Sequence, residues 1–239
     1  MDQPSSNAPM MPGSSPNSIF QTWIKALTKP NEQTYMDIAN SPNAKATTAY
    51  TWVFLSSLLT SLFTLIVQGE TLRNQLAQSG IGQGRLGSGF GAVAITLLCG
   101  TPIIAIIGTI SFAIGVAIIQ WIAKMFGGKG TNDQLAYSFA AFGVPYSLIS
   151  SLFILLSAIP FVGLCLQIIL SLAGFYIFFL EILAVKSVNQ FGWGQAVGSV
   201  LIPFVVVLIL CCCVFIGLGF VMGPAIKNIF SQFNQGFTP

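Results

Sequence analysis

The sequence predicts an all-α fold: a polytopic transmembrane helical bundle of about five spans, with an N-terminal amphipathic helix at the membrane interface. Of the 239 residues, 54% are apolar and only 6% are charged, whereas soluble domains carry about 25% charged residues. The mean hydropathy is +0.81. The chain also contains long uncharged runs, and about 20 apolar residues of helix suffice to cross a bilayer.

Composition divides the chain into four regions. Residues 1–16 are rich in Ser, Pro and Asn and are expected to form a disordered polar tail. Residues 17–45 form an amphipathic and juxtamembrane segment. Residues 46–222 form the five-span membrane domain, and residues 223–239 form a short C-terminal tail.

The central hairpin of this domain is the clearest element. No charged residue occurs from Gln134 to Leu180, a length that accommodates two crossings and a turn. Pro160 and Gly163 mark the reversal within residues 157–163. The two spans are predicted at about 134–157 and 162–186.

The other predicted spans lie at about 46–68, 102–124 and 195–222. The second span is expected to begin at Gly100-Thr101-Pro102, with Thr101 as the cap and Pro102 at the first helical position. Residues 87–99 are then too few to cross, and form either a re-entrant or interfacial piece or an extension of the second span.

The first helix is expected between residues 17 and 29, ended by Pro30. Its apolar side chains recur at spacings of one, three and four residues and so share one face. Two interpretations stay open: an interfacial membrane anchor or partner-docking helix, and a helix packed on the protein's own cytoplasmic face. The candidate anchor residues are Phe20, Trp23, Ile24 and Leu27.

The distribution of basic residues predicts a cytoplasmic N-terminus and an external C-terminus. Basic residues concentrate on the cytoplasmic side of membrane proteins. With the N-terminus inside, that side collects most of the nine basic residues: Lys25, Lys29, Lys45, Lys124, Lys129 and Lys186.

Several classes of function are disfavoured. The chain has no histidine, which removes the commonest general base and metal ligand. Its five cysteines lie in apolar segments without the paired spacing of a zinc site. We therefore expect no enzyme activity, no metal and no cofactor. The net charge of +3 is too small and scattered to indicate nucleic acid binding.

One possible polar or ion site remains, formed by Glu181, Lys186, Pro145 and Pro203. Glu181 is the only acidic residue placed inside a span, where charged side chains face a partner, a cavity or the interface. Lys124 or Lys129 suits it better as a partner than Lys186, which lies about 140° away on the same helix. Each proline frees a backbone carbonyl, which lines a cavity or is satisfied by neighbouring side chains.

Small residues at four-residue spacing predict close helix packing, within the monomer or between copies. They occur at Ser111/Gly115, Gly194/Gly198 and Gly219/Gly223.

A family resemblance rests on a scattered set of small, apolar and Pro positions. The chain resembles the Yip domain in the run from Gln134 to Pro145, and at Ile159-Pro160, Gly163, Tyr176, Leu183-Ala-Val185, Gln195-Ala196 and Ile202-Pro203. The segment from Leu27 to Pro42 resembles what precedes the first span in prokaryotic members. The eukaryotic Asp-Leu-Tyr-Gly-Pro signature is absent, so binding of Rab-type GTPases is not carried over.

The resemblance implies a small five-span protein of a prokaryotic cytoplasmic membrane. It favours a scaffold that binds the lipid bilayer and other membrane proteins, or shapes the bilayer. Self-association through small-residue faces is also open. The alternatives are a small transporter or channel that uses Glu181 and the Pro145 and Pro203 kinks, and an accessory subunit of a larger membrane complex.

Overall fold

The computed structural model of the protein describes residues 19–78, 96–156 and 162–235. Within these ranges the chain forms helices joined by short loops and no β-strand, which confirms the predicted all-α fold. The seven α-helices are α1 Ile19–Thr28, α2 Glu32–Ala39, α3 Ala46–Gln78, α4 Thr101–Met125, α5 Asn132–Leu156, α6 Val162–Asn189 and α7 Trp193–Gln235.

Four helices in the described part are long and apolar enough to cross a membrane, namely α4, α5, α6 and α7. The predicted first span falls on α3, so the count of five spans is approximate. The predicted central hairpin corresponds to α5 and α6, while most of its turn lies outside the described residues. Helix α7 continues past residue 222, the predicted end of the last span, to Gln235.

The start of the second span differs in detail from the prediction. Thr96–Gly100 is a π-helical turn that leads directly into α4. Gly100, with right-handed helical dihedral angles, occupies the cap position, and no side chain caps the helix. The prediction of Thr101 as cap was wrong, because the backbone is already helical before it. The remainder of the predicted piece at residues 87–99, up to residue 95, lies outside the described residues.

Five helix ends meet on one side of the bundle. Helices α3 and α4 run antiparallel, with the Tyr50 and Phe112 rings 6.2 Å apart. The Asn132 side chain at the start of α5 donates to the Tyr50 hydroxyl at 3.4 Å. The Gln195 side chain near the start of α7 donates to the carbonyl of Phe126, just beyond α4, at 3.1 Å. Together with the last turn of α6, these segments form what we call the capped end.

Helices α1 and α2 cover the capped end and pack against α5 and α6. The Asn31 side chain caps α2 by accepting from the Thr34 amide. Tyr35 is fully buried, its ring 6.0 Å from that of Phe142. Its hydroxyl donates to the Ala26 carbonyl at 3.0 Å. Burial raises the pKa of the Tyr35 hydroxyl, so the group stays protonated and ties α2 to α1.

An aromatic row joins the first helix to the bundle. The Trp23 and Trp52 rings meet edge to face at 5.7 Å, and Trp52 lies 5.1 Å from the ring of Tyr137. Such ring pairs add stability beyond the area they bury. The row therefore fixes α1 against α3 and α5.

A belt of exposed apolar side chains surrounds the rest of the molecule. On α6 the belt runs from Val162 to Phe179, a length of about 27 Å at 1.5 Å per residue. That length matches the roughly 30 Å hydrocarbon core of a bilayer. Beyond Phe179, most of α6 is buried beneath α2. The capped end therefore lies beyond the apolar belt on α6.

Candidate functional site

A side-chain clamp holds the capped end together. The fully buried Asn189 side chain donates to the Gln120 amide oxygen at 3.2 Å and to the Val185 carbonyl at 3.1 Å. Its own oxygen accepts from Gln120 at 2.9 Å and from the Gly130 amide at 3.2 Å. Gln120 also donates to the Gly130 carbonyl at 2.7 Å. This clamp joins α4, α6 and the loop of residues 126–131.

The glycines of that loop allow it to approach the clamp. A Cβ atom on Gly128 would lie 2.5 Å from the Asn189 side-chain oxygen. A Cβ atom on Gly130 would lie 2.6 Å from a Val188 methyl and 2.8 Å from the Val188 carbonyl. Because real Cβ contacts are longer, only glycine fits at these two positions without a shift.

The clamp also sets the position of Lys129. Its backbone amide donates to the Asn189 carbonyl at 3.2 Å, while its side chain is exposed. Gly127 turns the chain with a positive φ of 88°, a conformation that glycine adopts without strain. The loop therefore presents Lys129 from a fixed backbone.

Lys186, one of the residues of the predicted polar site, pairs with α2. It forms an ion pair with Glu32, and its ammonium lies 4.3 Å from the Trp193 ring centroid. A cation over an indole face is attracted by the ring quadrupole. A second pair, Lys25 with Asp37 at 3.1 Å, joins α1 to α2. Both pairs fasten the N-terminal helices, and neither includes Glu181.

Glu181 is half-buried and, within the described residues, has no hydrogen-bond or ion-pair partner. Neither Lys124 nor Lys129, the partners expected from the sequence, forms an ion pair with it. Glu181 lies two residues beyond Phe179, the edge of the apolar belt on α6. At about 3 Å from that edge it is close enough to the headgroup layer for its carboxylate to reach water.

The two prolines lie inside continuous helices. Pro145 is buried within α5 and Pro203 is half-buried within α7. Other polar residues near these spans bond locally: Ser138 donates to the Gln134 carbonyl and Ser199 to the Gln195 carbonyl, each at 2.8 Å. That the carbonyls freed by the two prolines line a cavity or bond to neighbouring side chains stays a prediction.

The candidate anchor residues divide between two faces of α1. Trp23 and Leu27 pack against the core. Phe20 is 69% exposed and Ile24 is 60% exposed, and Ile19 lies beside them on the outer face. The Tyr176 hydroxyl, within the apolar belt of α6, donates to the Leu27 carbonyl at 2.6 Å. Helix α1 is therefore packed on the bundle and also leaves an apolar face at the edge of the belt.

The capped end carries an excess of unpaired positive charge. Lys25 and Lys186 have carboxylate partners. In the part of the chain that the structure describes, the others have none: Lys29, Lys45, Lys124 and Lys129.

The sequence did not single out Gln120 and Asn189. The signal was present, because an amide inside an apolar span needs a buried partner. Their partnership was not visible, since the two residues are separated by 69 positions. Among the described residues, no group of three or more His, Cys, Asp or Glu is placed to hold a metal ion.

Apolar helices of membrane-spanning length and a continuous apolar belt define a multi-pass integral membrane protein. The family model described as the Yip1 domain matches residues 24–216, from within α1 to beyond the buried part of α7. The chain belongs to the Yip1 domain family, as its motifs predicted. Comparisons with curated proteins and with solved structures found no match.

The clamp makes a specific prediction about Gly130. Gly130→Ala should lower the free energy of unfolding by about 1–3 kcal/mol, because the new methyl meets the Val188 backbone and cannot be accommodated without a shift. Thermal unfolding of the purified protein in detergent measures the effect.

Gly115→Ala is the matched control, since nothing lies within 4 Å of a Cβ atom there. Its effect should be neutral or stabilising by up to about 1 kcal/mol, because alanine favours a helix over glycine. Equal melting temperatures for the two variants would contradict a tight fit of the loop on α6.

Proposed function

We propose that this protein is a non-catalytic membrane scaffold that binds other membrane proteins laterally, within the bilayer, through α4 and α7. The observation that carries the proposal is how little of these two helices the described chain covers. In the apolar 18-residue stretch of each helix, only 11% of the residues of α4 and 17% of those of α7 are buried, against 50% for α5. Helix α5 thus forms the centre of the bundle, and α4 and α7 form its outer surface.

Among the residues of α7 whose side chains the structure describes, those that are buried lie near its start. Ala196, Ser199 and Val200 are buried, whereas every residue from Phe204 to Leu210 is exposed. Successive helical residues are about 100° apart, so those positions cover all sides of the helix. In this stretch no described element packs on α7, so the described helices leave its whole circumference uncovered.

Helix α4 offers a surface suited to close helix contact. Ser111 is exposed, and nothing lies within 4 Å of a Cβ atom built on Gly115. Small residues four positions apart let two helix backbones approach within a membrane. Of the other predicted pairs, Gly198 already packs against the Phe126 ring. The Ser111/Gly115 pair is therefore the surface on α4 that supports a contact with a second chain.

The outer face of α1 supports a further part of the proposal. We propose that the capped end faces the cytoplasm, and that Ile19, Phe20 and Ile24 insert into the headgroup layer as an interfacial anchor. Apolar residues on the outer face of a helix at this level gain by burial in the acyl boundary. The lysines of the capped end agree with this orientation, because basic residues favour the cytoplasmic side.

We expect Gly115→Leu to abolish partner binding and leave the fold intact, because the larger side chain holds a partner helix away, whereas no described atom lies within 4 Å of a Cβ atom at this position. The measurement is the native mass after gentle extraction from the source membrane, with each co-purifying chain identified. Wild type should carry a stoichiometric membrane protein, which Gly115→Leu loses.

Ala117→Leu provides the control. Ala117 is exposed and lies about 160° from Gly115 around α4, so this variant should keep the partner. A second copy of the chain in place of another protein would indicate self-association. A lone chain in the wild-type extract would remove the scaffold proposal.

A second prediction concerns the anchor and the orientation. The Phe20→Cys thiol, in a cysteine-free background, should react with a membrane-impermeant nitroxide reagent from the inside of the cell only. The spectrum of the attached nitroxide should be relaxed by oxygen more than by a water-soluble nickel complex.

The same label at Lys29→Cys, an exposed position just after α1, should show the opposite preference. Equal access of the nickel complex to both positions would contradict insertion, and labelling from outside would contradict the orientation.

The lack of a partner for Glu181 favours a second candidate function, a small transporter or channel. Under that function Glu181→Gln abolishes pH-dependent flux in proteoliposomes, because the neutral amide can neither carry a proton nor attract a cation. Asp133→Asn, which neutralises an exposed carboxylate in the first turn of α5, leaves the flux intact. Equal flux from both variants and wild type would leave only the scaffold.

A further inference from the structure

The capped end contains a cavity of about 110 Å³ between α2, the loop of residues 126–131 and the last turn of α6. A single water needs only about 10–15 Å³ of such space, so a group the size of phosphate has room to enter. Exposed lining residues place the mouth of the cavity at the surface. The polar lining residues are Asn40, Lys129, Gln134, Ser187 and Gln190.

The lining of the cavity favours an anion. Lys129 supplies a positive charge, and no carboxylate lines the cavity. The two acidic residues next to the lining along the chain, Asp37 and Asp133, are exposed and are not part of the lining. Lys129 has no ion-pair partner in the described ranges, so its charge is available to a ligand.

Amide donors complete the lining. The Asn40 oxygen accepts from the Gln134 side chain at 3.2 Å, which leaves the Asn40 NH₂ group without a protein acceptor among the described residues. The Gln134 oxygen accepts from the Thr131 amide at 3.0 Å, so that its NH₂ group is held toward Asn40. The Gln190 side chain likewise makes no hydrogen bond in the described part. Phosphate oxygens are the acceptors that such donors and a lysine ammonium bind.

The clamp fixes this site before any ligand arrives. The Lys129 amide is bonded to the Asn189 carbonyl, and the neighbouring Gly130 is bonded on both its amide and its carbonyl. A rigid site avoids the entropic cost of ordering a loop upon binding. The lysine is thus presented at the cavity mouth by a backbone that does not need to rearrange.

We propose that this cavity binds a phosphate-bearing anion, with Lys129 as its charged contact. Two sources share that chemistry, the headgroup of an anionic phospholipid and a soluble phosphate compound. Lys129 lies three residues beyond the exposed Phe126, which places it near the headgroup level on the α4 side. The site is independent of the lateral surfaces of α4 and α7.

The test uses the full-length protein in a neutral detergent, with phosphatidylglycerol and phosphatidylcholine as lipid probes and inorganic phosphate as the soluble probe. Native mass spectrometry measures the apparent Kd for each lipid, and calorimetric titration measures that for phosphate. Lys129→Gln should bind the anionic probe about fivefold more weakly, the effect of one lysine near an anionic headgroup. Lys129→Arg should restore binding.

Lys124→Gln is the matched control, because Lys124 is also exposed and unpaired at the capped end but does not line the cavity. It should bind as wild type does. Phosphatidylglycerol binding that inorganic phosphate displaces would assign the site to a lipid headgroup, and phosphate binding without lipid preference would assign it to a soluble ligand.

Two results would overturn the proposal. One is equal weakening by Lys124→Gln and Lys129→Gln, which would indicate a diffuse attraction to the whole surface. The other is the absence of binding for both phosphatidylglycerol and phosphate.

Discussion

The buried side-chain amide of Asn189 is the interaction on which the rest of the capped end depends. It bonds to Gln120 on α4, to Val185 on its own helix and to Gly130 in the loop. A buried amide that lost these partners would cost about 1–3 kcal/mol for each group left unsatisfied. The clamp therefore fixes the loop of residues 126–131, and the loop in turn fixes the spacing of α4, α5 and α6 at this end.

The two halves of the molecule differ in how they are held. At the capped end, amide hydrogen bonds, two ion pairs and edge-to-face or tilted aromatic contacts join the helices. Along the apolar belt, few residues of α4 and α7 are buried by the other described helices. Lipid tails are as apolar as the side chains they touch, so the hydrophobic effect does not drive helices together there. A bundle that is fixed at one end and exposes α4 and α7 along the belt suits a protein that binds other membrane proteins through those helices.

The sequence alone was sufficient for the fold class and the two helices of the central hairpin. The length of the uncharged run matches two crossings of a bilayer, and Pro160 and Gly163 mark the predicted turn between them. It also located α1, whose apolar spacing is regular. It did not show that α1 and α2 cover the last turns of α6, because that packing depends on side chains about 150 positions apart, such as Tyr176 with Leu27. Hydropathy placed Glu181 inside a span, and the candidate span Cys165–Asn189 includes it, although the run of exposed apolar side chains on α6 ends two residues before it. The Gln120–Asn189 pair was not predicted for a similar reason, because its members are 69 positions apart in the sequence.

The cover formed by α1 and α2 has a consequence for biosynthesis. These helices leave the ribosome before the other described helices, yet their partners on α6 lie 149 and 154 residues further along the chain. Domains generally fold as units while the chain is still being made. Here the first helices cannot reach their final position until α6 has been inserted. Until Trp52 of α3 has been made, the Trp23 face of α1 has no partner on the described helices, and the membrane surface is the nearest apolar environment. The order of synthesis thus requires α1 to be compatible with two environments, first the bilayer surface and then the finished bundle.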